Sequence, residues 1–421
     1  MMDEYYHARY AHGSACFGSL EDARHLTKGD APFAKVENLI LRFRGEEPSI
    51  IFGGAGSGKG ASIGVYVMSD ANVGSLFVLD MSGQYMSTTW HYNLAINRKA
   101  FTLNVEGASS YTEINHPLDL WQILKDDEFL FDNAGRIASM ALSDLDTKGD
   151  NGWVGQSARR WLRRFLIGHV LLEGRVTPKT LWAFINQIDA DDEFLKDWGR
   201  SAKDLPFDIH TTMVEIYRKK HGSEKEYGAV MGAIKDNLDW LSSPKIADSV
   251  SGDEDYLQHL ADPNQKVAVY YALKGGSGKQ MQSLSRMVVG IAQLHCVRAG
   301  LGARPLFYLE EAASLGGVDY IKQAVSEFRK FFRCILVYQS YGQLEHYFQK
   351  AGAREIMDSC GMQIYLGGGI RDPESAKRLA DAIGRATIYT NDPLAQQDRA
   401  FKAETALSQA FWNGEGLMQA A

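Results

Sequence analysis

The chain is 421 residues long, 45% hydrophobic and 23% charged, so it exceeds one average domain and has ample apolar material for a soluble core. Its net charge of −7 excludes a uniformly basic nucleic-acid coat, though not a basic lining confined to one surface of a ring or channel. Four scattered cysteines (Cys16, Cys296, Cys334 and Cys360) make no disulfide framework and show no metal-ligand spacing. The polar start Met1–Tyr10 is not a signal peptide, and no run approaches the roughly 18 apolar residues that span a bilayer. The expectation is a cytoplasmic protein, peripheral at a membrane only through a partner.

In chain order, residues 1–34 read as a polar, aromatic N-terminal arm with a short helical pattern around Leu20–Leu26. Leu39–Phe43 and Ser49–Phe52 read as strands joined by a turn over Gly45–Pro48, and Ala61–Met68 as a helix. Ser75–Leu79 is an apolar run ending at Asp80, the pattern of a buried strand, and Phe101–Asn104 is a weaker strand signal. Trp153–Leu172 carries Trp161, Phe165, Leu166 and Val170 at helical spacing, with Arg159, Arg160, Arg163 and Arg164 on the other face. From about Thr177 the β signal vanishes, and apolar residues recur only at helical spacing until Ala261. Strand patterns return at Val267–Ala272, Leu306–Leu309, Cys334–Tyr338 and Gln363–Leu366, separated by helices over Met281–Val297 and Val318–Phe332. Strands alternating with helices in this way predict an α/β fold with a mainly parallel sheet, here carrying an all-helical insertion over 177–262.

Residues 53–60 read Gly-Gly-Ala-Gly-Ser-Gly-Lys-Gly, between a predicted strand and a predicted helix. This is the pattern of a phosphate-cradling P-loop (Walker A), in which backbone N–H groups surround phosphate oxygens at φ/ψ values that a Cβ resists. Gly53, Gly54, Ala55, Gly56, Ser57, Gly58, Lys59, Gly60 and Ala61 are thus candidate ATP-binding residues, with Lys59 reaching the β- and γ-phosphates. Gly60 departs from the generic pattern, which has a magnesium-holding Ser or Thr there. A second glycine-rich segment, Gly275–Lys279, lacks the first glycine of the motif and reads as an ordinary loop. The loop assigns 35–176 and 263–390 to a nucleotide-binding domain, leaving 391–421 as a short tail.

Leu306–Leu309 runs into Glu310-Glu311. In P-loop enzymes the first such carboxylate, usually Asp, holds Mg²⁺ and the second polarises the attacking water. Glu310 is the candidate metal ligand and Glu311 the candidate general base; Asp80, at another strand end, is a second candidate for the metal. Gln339, after the Cys334–Tyr338 strand, is placed to sense the γ-phosphate. Arg329, among the cations Arg329, Lys330 and Arg333, is a candidate for contacting the γ-phosphate of a neighbouring subunit, and the cluster Lys322, Arg329 and Lys330 equally suits a nucleic-acid face.

The order of these motifs resembles the coupling-protein ATPases of type IV secretion and bacterial conjugation. His12-Gly-Ser-Ala15, the Gly53–Gly60 loop with its final glycine, Phe77-Val-Leu-Asp80, Asn115-His-Pro-Leu-Asp119, Trp153 with Ala158-Arg159, and Leu309–Gly316 all have counterparts there. So do Gln339-Ser340, Gln343-Leu344, Ser359-Cys-Gly361 and Glu374-Ser-Ala376. The resemblance covers roughly residues 11–388 and omits the family's membrane anchor. It implies a RecA-type nucleotide domain with an inserted helical domain and a homo-hexameric, Mg-dependent ATPase. The implied task is delivery of single-stranded DNA and its relaxase to a secretion channel, with a membrane-anchored partner. Two alternatives stay open: a nucleotide-binding adaptor that recruits substrate without moving it, and a chromosomal DNA pump.

Overall fold

A computed structural model describes residues 24–383, apart from 30, 37–38, 44–46, 127, 146–151, 207, 275–280 and 367–372. The His12-Gly-Ser-Ala15 element, the Gly275–Lys279 segment and the 391–421 tail lie outside the described residues. From the amino end come strands β1 (Pro32–Val36), β2 (Leu39–Arg42) and β3 (Ser49–Phe52), helix α1 (Val65–Ser69), β4 (Leu76–Asp80), helix α2 (Gln84–Ala95) and β5 (Lys99–Leu103). A helical stretch follows: α3 (Leu130–Ala141), α4 (Gly152–Glu173), α5 (Pro178–Ala190), α6 (Asp192–Ser201), α7 (Ile209–Gly222), α8 (Glu224–Leu238) and α9 (Pro244–Ser249). Then come β6 (Val267–Ala272), α10 (Gln282–Ala299), β7 (Leu306–Leu309), α11 (Asp319–Ser326), β8 (Arg333–Tyr338), α12 (Tyr341–Ser359), β9 (Met362–Tyr365) and α13 (Pro373–Ile383).

The chain divides into two compact units. One comprises Met1–Val73 and Cys334–Ala421, the other Gly74–Arg333. In the first, β3 pairs in parallel with β8 on one side and β9 on the other, Phe52 standing opposite both Tyr338 and Tyr365. Ile50, Ile51 and Phe52 are fully buried, each such side chain contributing about 1.5–3 kcal/mol through removal from water. A strand covered on both faces reads as an unbroken apolar run rather than an alternating one. β1 and β2 form a separate antiparallel pair, which was not foreseen for residues 32–36.

In the second unit the strands run β5-β6-β4-β7, all parallel, with Leu79 opposite Leu309 and Asp80 opposite Ala272. The helical stretch α5–α9 belongs to this same unit. It begins at a capping box, in which Thr177 accepts the Thr180 N–H and Thr180 accepts the Thr177 N–H, with Pro178 at the first helical position. The arginine face of α4 is largely spent on packing. Arg159 donates to the Leu142 and Leu145 carbonyls, Arg160 pairs with Glu215, and Arg163 lies 3.4 Å over the Phe131 ring while donating to the Phe131 carbonyl. The helix expected over Val318–Phe332 stops at Ser326. The chain then turns through Phe328–Phe332, where Phe328 and Phe332 pack together and Phe332 reaches Phe307 on β7.

Candidate active site

Parallel pairing brings the carboxyl ends of neighbouring strands together, which is where α/β sheets bind ligands. In the first unit β3 ends at Phe52 and the chain enters the glycine loop. Gly53 donates its N–H to the Tyr338 carbonyl at 3.1 Å, so Gln339, the next residue, lies beside the start of the loop. The loop closes on itself through Ser57 N–H to the Gly54 carbonyl (3.2 Å) and Ser62 N–H to the Gly58 carbonyl (2.8 Å). Gly56 and Gly58 take φ of +75° and +84°, the left-handed region that costs L residues about 1–2 kcal/mol. A Cβ on Gly53 would lie 2.6 Å from Ser57 Oγ and 2.9 Å from Lys59 Cγ.

Lys59 opens a π-type turn over Gly60–Gly64 that leads into α1, rather than the regular helix expected from Ala61. Its ammonium folds back and donates to the Gly53 and Gly54 carbonyls at 2.5 and 3.0 Å. Ser57 Oγ is buried with no hydrogen-bond partner. A loop that spends its lysine on its own carbonyls and orphans a hydroxyl beside it fits an oxyanion that would satisfy both groups. Ala55, Gly56, Gly58 and Ala61 face solvent, while Gly54 and Gly60 are half-buried. Ser340 caps α12 by accepting the Gln343 N–H, and Gln343 Oε1 accepts the Gln339 N–H at 2.9 Å. The Gln-Ser-x-x-Gln spacing seen in the sequence thus fixes the backbone that presents Gln339, whose own side chain is exposed.

In the second unit the parallel pair β4–β7 brings Asp80 and Glu310 to adjacent strand ends. The Glu310 N–H donates to the Leu79 carbonyl, and Glu310 Oε2 accepts the Met81 N–H at 3.3 Å. Asp80 is fully buried and accepts the Met86 N–H at 2.9 Å, closing the turn into α2. Burial pushes its carboxyl above the usual aspartate range, opposed by the amides of Met86, Ser82, Gln84 and Gly83. Asp80 therefore shapes the turn whose first amide meets Glu310. Beneath them Tyr85 and Tyr308 face each other, hydroxyls 3.4 Å apart, and burial raises both phenols far out of the titrating range.

Glu311 is half-buried and left-handed, with φ 50° and ψ 53°, at the entrance to a 3₁₀ turn over Ala312–Leu315. Such backbone costs a non-glycine residue about 1–3 kcal/mol and concentrates at functional positions. Arg329 lies elsewhere. It is exposed in the turn before β8, and its carbonyl accepts from Arg304, which precedes β7, whereas Glu310 follows that strand. Four residues of strand, roughly 13 Å, separate these ends. Among the described residues no group of three or more His, Cys, Asp or Glu side chains is gathered to hold a metal. The donors present are carboxylate oxygens, which suit Mg²⁺, an ion that takes one or two carboxylates and completes its shell with water and phosphate. Gly60 offers it no hydroxyl.

Residues 20–410 match the family described as type IV secretory system conjugative DNA transfer. The chain belongs to that family. It is 26% identical to the type IV secretion system-coupling protein VirD4 of Bartonella henselae over 265 residues, covering 61% of this chain and 40% of that protein. To the conjugal transfer protein TraG of Escherichia coli it is 24% identical over 378 residues, covering 83% of this chain and 57% of the other. The chain thus matches about two fifths to three fifths of the length of these curated family members. Its fold resembles that of the plasmid coupling protein TrwB solved with ADP and Mg²⁺, with a TM-score of 0.63 at 15% identity, over 88% of this chain and 83% of that one. The expected α/β class with a mainly parallel sheet is therefore the fold observed.

Other residues matched in the first resemblance to this family hold the fold. Asn115 accepts the Asn104 N–H and donates to Ser249, and Asp119, buried, takes Arg175 and Lys125. Sequence reasoning missed the Tyr85–Tyr308 pair and the Met81 amide, because partners more than 200 residues apart carry no shared local pattern.

Proposed function

We propose that this protein is an ATP-driven coupling protein that delivers DNA and attached protein to a type IV secretion channel. The observation that carries the reading is the Gly53–Ala61 loop, with its left-handed glycines, inward-folded lysine and orphaned Ser57 hydroxyl, in a member of the conjugative DNA-transfer family. Within it, the loop amides and Lys59 hold the phosphates, Ser57 donates to one of their oxygens, and Gln339 senses the γ-phosphate. Glu310 holds magnesium, with Asp80 setting the turn that steadies it, and Glu311 orients the attacking water and takes its proton. Magnesium, when bound, neutralises charge on the transferring phosphoryl group. Arg329, remote from Glu310 in its own chain, is assigned to a neighbouring subunit's phosphate in a homo-hexamer. The α5–α9 stretch, taken as an insertion over 177–262, meets the relaxase or DNA. A membrane-anchored partner and a place at the inner membrane face belong to the same proposal. Among the described residues no helix is long and apolar enough to cross a membrane.

One observation favours the adaptor reading: Gly60 leaves the loop without the hydroxyl that usually helps hold magnesium. Steady-state ATP turnover with and without single-stranded DNA separates the two. DNA-stimulated turnover that is lost in Lys59→Ala supports the motor, and tight nucleotide binding without turnover refutes it. Stimulation by duplex DNA alone would point instead to a chromosomal pump.

A further inference from the structure

The proposed general base, Glu311, sits on a backbone that its own strand does not hold. β7 ends at Leu309, Glu311 is left-handed, and the chain leaves through the Ala312–Leu315 turn, whose internal bonds run from Ser314 N–H to the Glu311 carbonyl (2.7 Å) and from Gly316 N–H to the Ala313 carbonyl (3.0 Å). Two carbonyls of that turn point the other way, into α10. The Ser314 carbonyl accepts Gln282 Nε2 at 3.1 Å, and the Leu315 carbonyl accepts Arg286 Nε at 2.7 Å. Gln282 and Arg286 are one helical turn apart on the same face of α10.

Arg286 is 1% exposed, and its remaining donors form a two-pronged pair with Asp144, both at 2.7 Å. A guanidinium locked at both ends is a rigid strut, since its planar fork has no freedom left to follow a moving loop. Gly316 completes the fit. It takes φ +74°, and a Cβ there would lie 2.5 Å from Arg286 Nη2 and 3.0 Å from Gln282 Nε2.

We infer that Arg286, braced by Asp144 and seconded by Gln282, is a positioning residue for catalysis, which holds the turn after β7 so that Glu311 keeps its left-handed geometry. This rests on the assignment of Glu311 as general base. The Arg286 guanidinium meets the Leu315 carbonyl and Asp144, and it acts through that carbonyl. Its removal therefore lowers kcat without altering nucleotide affinity, because the phosphate loop belongs to the other compact unit and makes none of these bonds.

The test compares wild type, Arg286→Gln, Arg286→Lys and Gln282→Met in the full chain, each checked for folding by circular dichroism. Turnover and the dissociation constant for a fluorescent ATP analogue are measured over a range of temperatures. Displacement of a catalytic group by about an ångström costs on the order of 100-fold in rate. Arg286→Gln is thus expected to lose about 10- to 100-fold in kcat, with analogue affinity within about twofold of wild type. Arg286→Lys, which keeps the charge but serves only one of the two partners, falls between them, and Gln282→Met loses less. Three results overturn the inference: kcat of either Arg286 variant within about twofold of wild type, equal loss in affinity and kcat, or a deficit that vanishes on cooling below the variant's unfolding transition. If Arg286→Gln does not fold, the Arg286→Lys and Gln282→Met pair decides by the same criteria. No turnover by wild type with DNA present refutes the motor assignment itself, a result distinct from normal turnover in the variants.

Discussion

The left-handed backbone at Glu311 gives a prediction whose sign is diagnostic. At an ordinary right-handed position, glycine is less stable than alanine by about 0.5–1 kcal/mol, because it loses more chain entropy on folding. At φ 50° and ψ 53° the order reverses, since alanine keeps the left-handed penalty of about 1–2 kcal/mol and glycine escapes it. Subtracting the entropy cost leaves Glu311→Gly more stable than Glu311→Ala by roughly 0.5–1 kcal/mol, equivalent to about 1–3 °C in Tm for a unit of this size. Both substitutions remove the carboxylate proposed as the general base, so both are expected to lose turnover alike, and stability is compared between two variants that differ only in the Cβ. The assay is urea unfolding followed by tryptophan fluorescence, because Trp90, Trp121, Trp153, Trp161, Trp182, Trp198 and Trp240 all lie in the Gly74–Arg333 unit that carries Glu311. An alanine variant as stable as the glycine variant, or more so, would show that position 311 is not left-handed and would remove the basis for a strained, strut-held base.

Further outcomes follow from the same geometry. Lys59→Ala removes charge-assisted bonds worth about 1.5–3 kcal/mol, so ATP-analogue affinity should fall about 10- to 100-fold with Tm little changed; titration by fluorescence anisotropy checks this. Gly58→Ala meets no neighbour closer than Ser62 Oγ at 3.9 Å, but φ +84° makes the backbone itself the obstacle. Calorimetry should find a loss of about 1–2 kcal/mol, and analogue binding should weaken as well. His169 is buried against Phe184 and Trp198, and desolvation lowers its pKa below the ordinary value, outweighing its bond to the Phe165 carbonyl and the charge of Glu173. The unfolded chain therefore takes up a proton near pH 6.5 that the folded chain refuses, so stability is full above that pH and falls as pH drops through it towards the lowered folded value. His169→Phe should flatten this slope in urea midpoints measured between pH 7.5 and 5.5.

The strands were legible where burial on both faces leaves an unbroken apolar run: Ser49–Phe52, Val267–Ala272 and Leu306–Leu309 are found at the boundaries their composition predicts. α2, α3 and α12 were not anticipated. α2 is interrupted by polar groups that the fold satisfies internally, such as Thr89 and Asn93 on the Tyr270 hydroxyl. The 318–332 segment misled because Phe328, Phe331 and Phe332 follow a helical rhythm, while all three serve a turn that packs on β7 through Phe332. Motifs could put forward Lys59, Glu310 and Glu311 as candidates. They could not reveal that Lys59 is spent on the loop's own carbonyls, nor that Glu311 is left-handed, because both facts depend on backbone dihedrals.

Glu310 is the position where sequence and structure bear most directly on one another. In P-loop enzymes the first carboxylate of this pattern is usually aspartate, and by motif alone Glu310→Asp should restore a standard site. The structure argues the reverse. Glu310 Oε2 reaches the Met81 amide at 3.3 Å, across from a turn that buried Asp80 closes. Removing one methylene withdraws the carboxylate by about 1.5 Å, the length of a C–C bond, beyond hydrogen-bonding range of that amide. The carboxylate then loses that contact, while the turn at Met81–Gln84 stays where Asp80 fixes it. Glu310→Asp is therefore expected to lower kcat and to raise the magnesium concentration needed for half-maximal turnover, each by about threefold to tenfold, which is the scale of one modest hydrogen bond. A magnesium titration of steady-state turnover tests it. Faster turnover at unchanged magnesium dependence would show that the longer side chain is a defect the protein tolerates, and that the Met81 contact holds nothing that catalysis uses.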